Sequence, residues 1–139
     1  MGLDMYLTAT RLICNSDEGD LKPKLQEMFG YPIDSVSTHS GYWRKAYHIH
    51  LWFVDNVQEG EDDCNRYDVS REELARLLDI VKQVMDDHNK ASLLFPNHPN
   101  DRHLEYDEWF FETLQDTKDI IEKTLTMDHN WFFYYQSSW

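Results

Sequence analysis

The fold is decided by residues 5–13, which read MYLTATRLI. Met5, Leu7 and Ala9 alternate with polar or aromatic residues, which is the two-residue period of a strand that buries one face. At the other end of the chain, residues 131–136 (WFFYYQ) are an aromatic run of strand-favouring residues. Rings fall on both sides of this second run, so we expect both of its faces to be covered. The simplest assembly pairs the two terminal strands in one small sheet.

Helix signals fill most of the chain between these strands. Ser70-Arg71-Glu72-Glu73 is a capping box, and the apolar spacing that follows predicts a helix that ends near His88. Asp107 and Glu108 suit the positive end of a second long helix. The other predicted elements are a helix at Leu21–Phe29 with Asp20 as its N-cap, an irregular segment over residues 33–41, a helix over residues 42–57, a short strand over residues 66–69 and a long loop over residues 92–106.

Together these elements predict a single α+β domain over residues 1–139. Three or four helices would pack on a small, mainly antiparallel sheet that includes the N- and C-terminal strands. The length of 139 residues suits one domain, and an apolar content of 41% with 14% aromatics can supply its core.

The charge balance narrows the classes of partner. The chain carries 26 acidic and 13 basic residues, a formal net charge of −13. A field of this sign repels phosphate backbones and anionic membrane surfaces, so we expect neither direct nucleic-acid binding nor membrane binding. It permits a protein partner with a basic surface, although solubility alone is a common reason for an acidic surface.

The cysteines and the N-terminus predict a cytoplasmic location. Cys14 and Cys64 are too few for the disulfide framework of a small secreted domain, and we expect both to be reduced thiols. Met1-Gly2-Leu3-Asp4 has an early acid and no basic lead, unlike a secretory signal. No apolar run approaches the roughly 20 residues that span a bilayer.

Two clusters could carry chemistry. His48-Ile49-His50 suggests metal binding, but residues two apart on a helix do not share a face, so structural roles are favoured and no metal or other cofactor is predicted. Glu105, Asp107 and Glu108 could pair as general acid and base, but helix capping explains the same acids. With no nucleophile motif and no glycine-rich phosphate loop, a non-enzymatic role is favoured.

Two aromatic segments could form a binding surface. Tyr42-Trp43-Arg44-Lys45 is a locally basic start to a predicted helix, where Arg44 could clamp an anion or pair with one of the many acids. The chain ends on Tyr134-Tyr135-Gln136-Ser137-Ser138-Trp139. These rings belong in the core unless Trp139 is exposed beside other tryptophans, in which case they form a patch.

Several blocks of the sequence resemble a family of small uncharacterised proteins of bacteriophages and prophages. The blocks are GLDMYL at residues 2–7, YWRKA at 42–46 with Ile49, His50, Trp52 and Phe53, DDC at 62–64 with Tyr67, Val69 and Ser70, YDEWF at 106–110, and YYQSSW at 134–139. The resemblance implies a bacterial host cell and carries over no activity. The matching blocks are rich in polar groups, which either form a buried network that fixes the fold or line a site.

We derive three functional hypotheses. The first is a phage accessory protein that binds a host or phage protein without catalysis, as an acidic inhibitor of a nucleic-acid-handling or defence enzyme. The alternative is a small-molecule or nucleotide-binding domain with hydrolytic ability, whose polar-aromatic pocket lies under the 92–106 loop. The third is a homo-oligomer that assembles through exposed aromatics. The candidate binding residues are Trp43, Arg44, His50, Asp107, Glu108, Tyr135 and Gln136.

Overall fold

The computed structural model describes residues 2–14, 19, 21–97 and 104–139, and it confirms the α+β class. The strands and helices alternate along the chain before the last strand returns to the sheet. In chain order the elements are β1 (Asp4–Leu12), α1 (Leu21–Phe29), β2 (Ser35–Arg44), α2 (Tyr47–Asn56), β3 (Tyr67–Val69), α3 (Arg71–Asp86), one turn of 3₁₀ helix (His88–Lys90), α4 (Ala91–Leu94), α5 (Glu108–Leu125) and β4 (Trp131–Ser138).

The two terminal strands are neighbours at the centre of the sheet, as the sequence predicts. The strand order is β2-β1-β4-β3 and every pairing is antiparallel. In the central pair, Met5 lies opposite Ser137 and Ala9 lies opposite Phe133. The two ends of the chain are therefore held by the same ladder of backbone hydrogen bonds.

The core lies between one face of this sheet and the long helices. Met5, Leu7 and Ala9 are fully buried in one cluster with apolar residues of α2, α3 and α5. The Trp43 Nε1–H donates to the Thr117 Oγ1 of α5 over 2.9 Å, which links β2 to that helix. On β1 and β4, the residues that alternate with the buried ones face the other side of the sheet and are more exposed.

Two sequence predictions about strands are wrong. Residues 35–44 form a strand, although we expected an irregular segment followed by a helix from residue 42; the helix begins at Tyr47. Lys45, at a φ of 57°, turns the chain between the two elements. The second error concerns β4, where Phe133 and Tyr135 are buried but Phe132 is 54% exposed, so its outer face is uncovered. β2 is an edge strand, and β4 has one open face. Each feature weakens the residue pattern on which the prediction for that strand rested.

Helix ends follow the predicted caps, and the helix count is slightly higher than predicted. Ser70 and Glu73 form the capping box of α3, and the Asp107 carboxylate accepts the Phe110 backbone N–H at the start of α5. The described residues include five α-helices because α4 occupies part of the predicted 92–106 loop, next to the buried Phe95. Asp20, the predicted cap of α1, lies outside the described residues.

Among the described helices, none combines the length and apolar character that crossing a membrane demands. No disulfide joins Cys14 to Cys64, both of which are described and exposed.

Candidate functional site

A chain of hydrogen bonds through His50 ties the sheet to the loop that precedes β3. His50 lies on α2 and is 2% exposed. Its Nδ1 is 2.7 Å from the Tyr135 hydroxyl, and its Nε2 is 2.8 Å from Asp62 Oδ1. A carboxylate can only accept, so we assign the proton to Nε2, which leaves Nδ1 to accept the Tyr135 O–H. This assignment satisfies both ring nitrogens with a neutral imidazole.

Tyr135 is the buried end of this chain. Its ring stacks on Phe53 with centroids 3.9 Å apart, and the residue is fully buried. Burial, with a smaller contribution from Asp62, raises the pKa of the Tyr135 hydroxyl well above its ordinary value. The hydroxyl therefore stays protonated and acts as a donor to His50, and its burial keeps it away from any substrate.

Asp62 is the exposed end, and the C-terminus closes over it. Its side chain is 39% exposed, and it also accepts the Trp139 Nε1–H over 3.2 Å. Nearby, the Gln136 side chain donates to the Cys64 carbonyl over 2.9 Å. These bonds join the last residues of β4 to the loop before β3, and we call this side of the sheet, with β3 itself, the closed edge.

The loop at the closed edge is strongly acidic and has a defined shape. Residues 55–63, the acidic segment, comprise the end of α2 and the loop after it, and they contain five acids and no lysine or arginine. Gln58 is fully buried and its side-chain amide donates to the Glu61 carbonyl over 2.6 Å. Glu59 and Gly60 turn the chain with φ of 55° and 83°, in the region that favours glycine.

The carboxylates of the acidic segment divide into exposed and tethered groups. Asp55, Glu59 and Glu61 are exposed to solvent. Asp63 accepts the Asn65 backbone N–H over 3.0 Å and the Tyr67 hydroxyl over 2.9 Å. The Asn65 bond, reinforced by Tyr67, lowers the pKa of Asp63 below its ordinary value, so this carboxylate stays charged. The segment is thus a preformed anionic surface.

His48, two residues before His50, faces a different part of the molecule. The Thr113 hydroxyl donates to the Phe110 carbonyl over 2.7 Å, so it accepts from His48 Nε2–H over 2.6 Å. His48 Nδ1 is buried and has no hydrogen-bond partner among the described residues. Burial, opposed in part by Asp107, lowers the pKa of His48 to about 4. At neutral pH its Nδ1 is an unused acceptor.

Two small clefts meet at His48, beside the region predicted to cover a pocket. One, of about 180 Å³, contains Trp52, Asp55 and Phe95 in its lining. The other, of about 220 Å³, is lined by Lys45, Tyr47, His48, Leu104, Glu105, Asp107 and Trp109. Ligand pockets for drug-sized molecules usually exceed roughly 300 Å³, so each cleft suits only a small ligand or part of a larger one.

The structure groups the candidate binding residues differently from the single pocket that we expected. His50, Tyr135 and Gln136 lie together at the closed edge. Asp107 lines the second cleft at His48 and caps α5, and the exposed Glu108 is the first residue of that helix. Trp43 is buried against α5, and Arg44 is exposed at the end of β2. Asp107 lines a cleft beside the predicted loop.

Sequence reasoning missed three participants as site residues. Asp62 was noted only within the DDC block of the family resemblance, and Thr113 and the hydrogen bond from Trp139 were not anticipated. The available signal was the acid run before Cys64, together with a chain that ends on a large ring. Across residues 2–14, 19, 21–97 and 104–139, no group of three or more histidine, cysteine or carboxylate side chains is arranged to hold a metal ion.

No protein-family model, no curated protein and no solved structure matches the chain.

Proposed function

We propose that this protein is a non-catalytic, phage-type accessory protein that binds a host or phage protein with a basic surface. The observation that carries the proposal is the acidic segment, which has five acids and no lysine or arginine in nine residues, and whose Asp62 accepts a hydrogen bond from the exposed Trp139. Charge complementarity of this kind speeds association and selects partners. One form of this function is the inhibition of a nucleic-acid-handling or defence enzyme by an acidic protein.

The fixed shape of the acidic segment supports a docking role over a purely solubilising one. Buried Gln58 and the Asp62–His50 bond hold the loop on the closed edge. A preformed surface loses less conformational entropy on binding than a flexible acidic tail does. An exposed tryptophan beside the charges supplies the kind of aromatic anchor that dominates many protein interfaces.

The excess of acids over bases leaves many carboxylates of the chain available to bind a basic partner. Among the described residues, Lys82 of α3 pairs with Glu122 of α5, and the Lys82 Nζ lies 3.4 Å from the Glu122 Oε1. With twice as many acids as bases in the chain, at least half of the carboxylates have no basic partner of their own. Their mutual repulsion falls when a basic surface docks.

A charge-neutralising triple variant tests the proposal. Asp55→Asn/Glu59→Gln/Glu61→Gln removes three exposed charges of the acidic segment and leaves the tethered Asp62 and Asp63 in place. The matched control, Glu112→Gln/Asp116→Asn/Asp119→Asn, removes three exposed charges from α5. Both variants have the same net charge, so general electrostatic attraction changes equally in the two.

The measurement is affinity capture from phage-infected bacterial cells followed by titration of the purified partner. We expect the partner to bind the wild type and the α5 variant, to bind the acidic-segment variant at least about tenfold more weakly, and to dissociate as salt rises. Equal binding by the two variants, or binding insensitive to salt, would overturn the proposal. So would a failure of the wild type to retain any basic protein.

A small-molecule-binding role is the second candidate, and the unused acceptor of His48 favours it. A ligand with an N–H or O–H donor in one of the adjoining clefts could satisfy Nδ1 after a small side-chain movement. Screening small polar compounds by thermal shift against wild type and His48→Phe tests this role. Stabilisation of the wild type alone would support it, and equal shifts in both proteins would contradict it.

A further inference from the structure

The sheet has a second edge, which is unlike the closed edge in length and composition. β2 is a ten-residue strand that pairs with β1 on one side and is the end of the strand order on the other. Natural edge strands are usually short, or carry lysine or proline, because unpaired backbone groups invite another strand. β3, at the opposite edge, has three residues. β2 has neither lysine nor proline, and its one irregularity is a bulge at Ser40.

Apolar side chains are exposed on the segment that connects β1 to β2. α1, which connects β1 to β2, contains no buried residue. Its Met28 is 73% exposed, and Phe29 and Tyr31 are also among the exposed large apolar residues. Leu12, which lies opposite Ser35 at the start of β2, is exposed as well. We call β2 and α1, with these residues, the open edge.

β2, the strand of the open edge, carries none of the acidic charge of the chain. Residues 35–54 contain no aspartate or glutamate, and they include Arg44 and Lys45. Residues 21–54 hold four bases and two acids, whereas the rest of the chain holds 24 acids and nine bases. Two copies of this protein repel each other strongly except where their open edges meet.

We propose that the open edge binds a second copy of this chain, with β2 pairing antiparallel to β2 of the partner across a two-fold axis. The pairing continues the sheet from one protomer into the other and satisfies the outer backbone groups of both strands. It brings α1 and its exposed apolar side chains next to the partner. The acidic segment is at the opposite edge of each sheet, so the charged surfaces of the two copies lie far apart.

Charge is what selects a second copy over other occupants. A basic protein is attracted to the other edge and is repelled locally by Arg44 and Lys45. Any acidic protein, a second copy included, is repelled by the net charge of −13, and this repulsion is smallest where its own surface carries no acid. A second copy presents the same acid-free strand and the same apolar residues, and the interface is self-complementary. The dimer then offers two acidic segments, which a partner with repeated basic surfaces binds with higher avidity.

Salt separates this inference from the proposed function, because the two respond in opposite directions. Added salt screens the repulsion between two acidic bodies and strengthens the dimer. The same salt weakens docking of a basic partner on the acidic segment. Failure of either proposal is therefore visible without reference to the other.

Sedimentation of the full-length protein over a range of protein and NaCl concentrations tests the dimer. We expect a concentration-dependent dimer of the 16.7 kDa chain that becomes tighter as NaCl rises. Met28→Glu should raise its dissociation constant about tenfold or more, because it places a new acid among the apolar contacts. The matched control is Leu93→Glu on α4, where the original side chain is 75% exposed and lies outside the open edge; it should leave dimerisation unchanged.

Two further measurements keep the result interpretable. Thr38→Glu introduces an acid into the exposed middle of β2 and should weaken the dimer in the same way, and circular dichroism establishes that each variant is folded. Hydrogen exchange should slow at β2 amides as protein concentration rises. A wild type that stays monomeric at every concentration and salt would overturn the proposal, as would a dimer weakened equally by Leu93→Glu or one without added protection of β2.

Discussion

The two edges of this sheet are finished in opposite ways. At the closed edge a short strand, a shaped acidic loop and the C-terminal Trp139 are joined by side-chain hydrogen bonds. At the open edge a ten-residue strand without acids follows a helix that buries none of its residues. Side-chain hydrogen bonds join the closed edge to other parts of the chain, whereas the open edge presents a long strand with no described strand on its outer side.

The two edges are also expected to contribute differently, the closed edge to the stability of the fold and the open edge to assembly. Hydrogen bonds at the closed edge satisfy buried polar groups that would otherwise destabilise the fold. Exposed apolar residues at the open edge contribute little to the stability of one protomer because water still surrounds them. Substitutions at the closed edge should therefore alter unfolding, and substitutions of exposed residues at the open edge should alter assembly.

The largest expected effect comes from breaking the closed edge at its centre. His50→Leu removes the acceptor of the buried Tyr135 hydroxyl and the donor to Asp62. We expect a loss of about 3 kcal/mol in the free energy of unfolding, measured by urea denaturation, since a buried polar group is left unsatisfied.

Tyr135→Phe is the control for that experiment. It removes the hydroxyl and leaves His50 bonded to Asp62, so we expect a smaller loss of about 1 kcal/mol. If His50→Leu cost less than Tyr135→Phe, the hydrogen-bond chain would not be what holds this edge.

The next effect concerns His48, which shares α2 with His50 but takes no part in the closed edge. Because burial lowers its folded pKa to about 4, the unfolded chain, with a pKa near 6.5, takes up the proton first as the pH falls. The part of the free energy of unfolding that depends on a neutral His48 is fully present above about pH 6.5 and is lost as the pH falls towards 4.

Urea denaturation at pH 7 and pH 5 measures this contribution. The wild type should lose about 2 kcal/mol more than His48→Phe between these two pH values, because phenylalanine does not titrate. Equal pH dependence in the two proteins would show that His48 is protonated as readily in the folded state as in the unfolded chain.

A smaller effect tests the packing of β2, the strand of the open edge, against α5. A Cβ at Gly41 of β2 would overlap the Ile120 side chain of α5. Gly41→Ala should cost about 1 kcal/mol, at the low end for overpacking, because Ile120 is only partly buried and its side chain can shift. Urea denaturation measures the cost, and Ile120→Val in the same protein should recover part of it. No recovery would show that the strain lies elsewhere.

The sequence predicted best where one residue pattern allowed one structure. The alternation of Met5, Leu7 and Ala9, and the capping box at Ser70, specify a strand and a helix start through local geometry alone. The pairing of the terminal strands followed from the need to bury both in one core. β2 was missed because serine, threonine and histidine in its first half have no apolar alternation, and the aromatic residues after them also fit a helix.

The candidate site was predicted only in part, for a physical reason. His50, Tyr135 and Gln136 were identified as polar or aromatic residues of interest, and the fold brings them to one edge. Their partners could not be found from the pattern, because Asp62 is 12 residues from His50 and Trp139 is 77 residues from Asp62. Contacts at such separations depend on strand order, which residue spacing does not encode.

By itself, the sequence determined the α+β class, the pairing of its two ends and a net charge of −13. These follow from local periodicity, burial and composition, which act residue by residue. Only the tertiary structure decided that the acid-free strand lies at the edge opposite the loop that contains Asp62, and that His48 and His50 have different partners. The reason is that a surface is assembled from segments distant in the chain, and the packing of α2 on the sheet sets which side chains meet there.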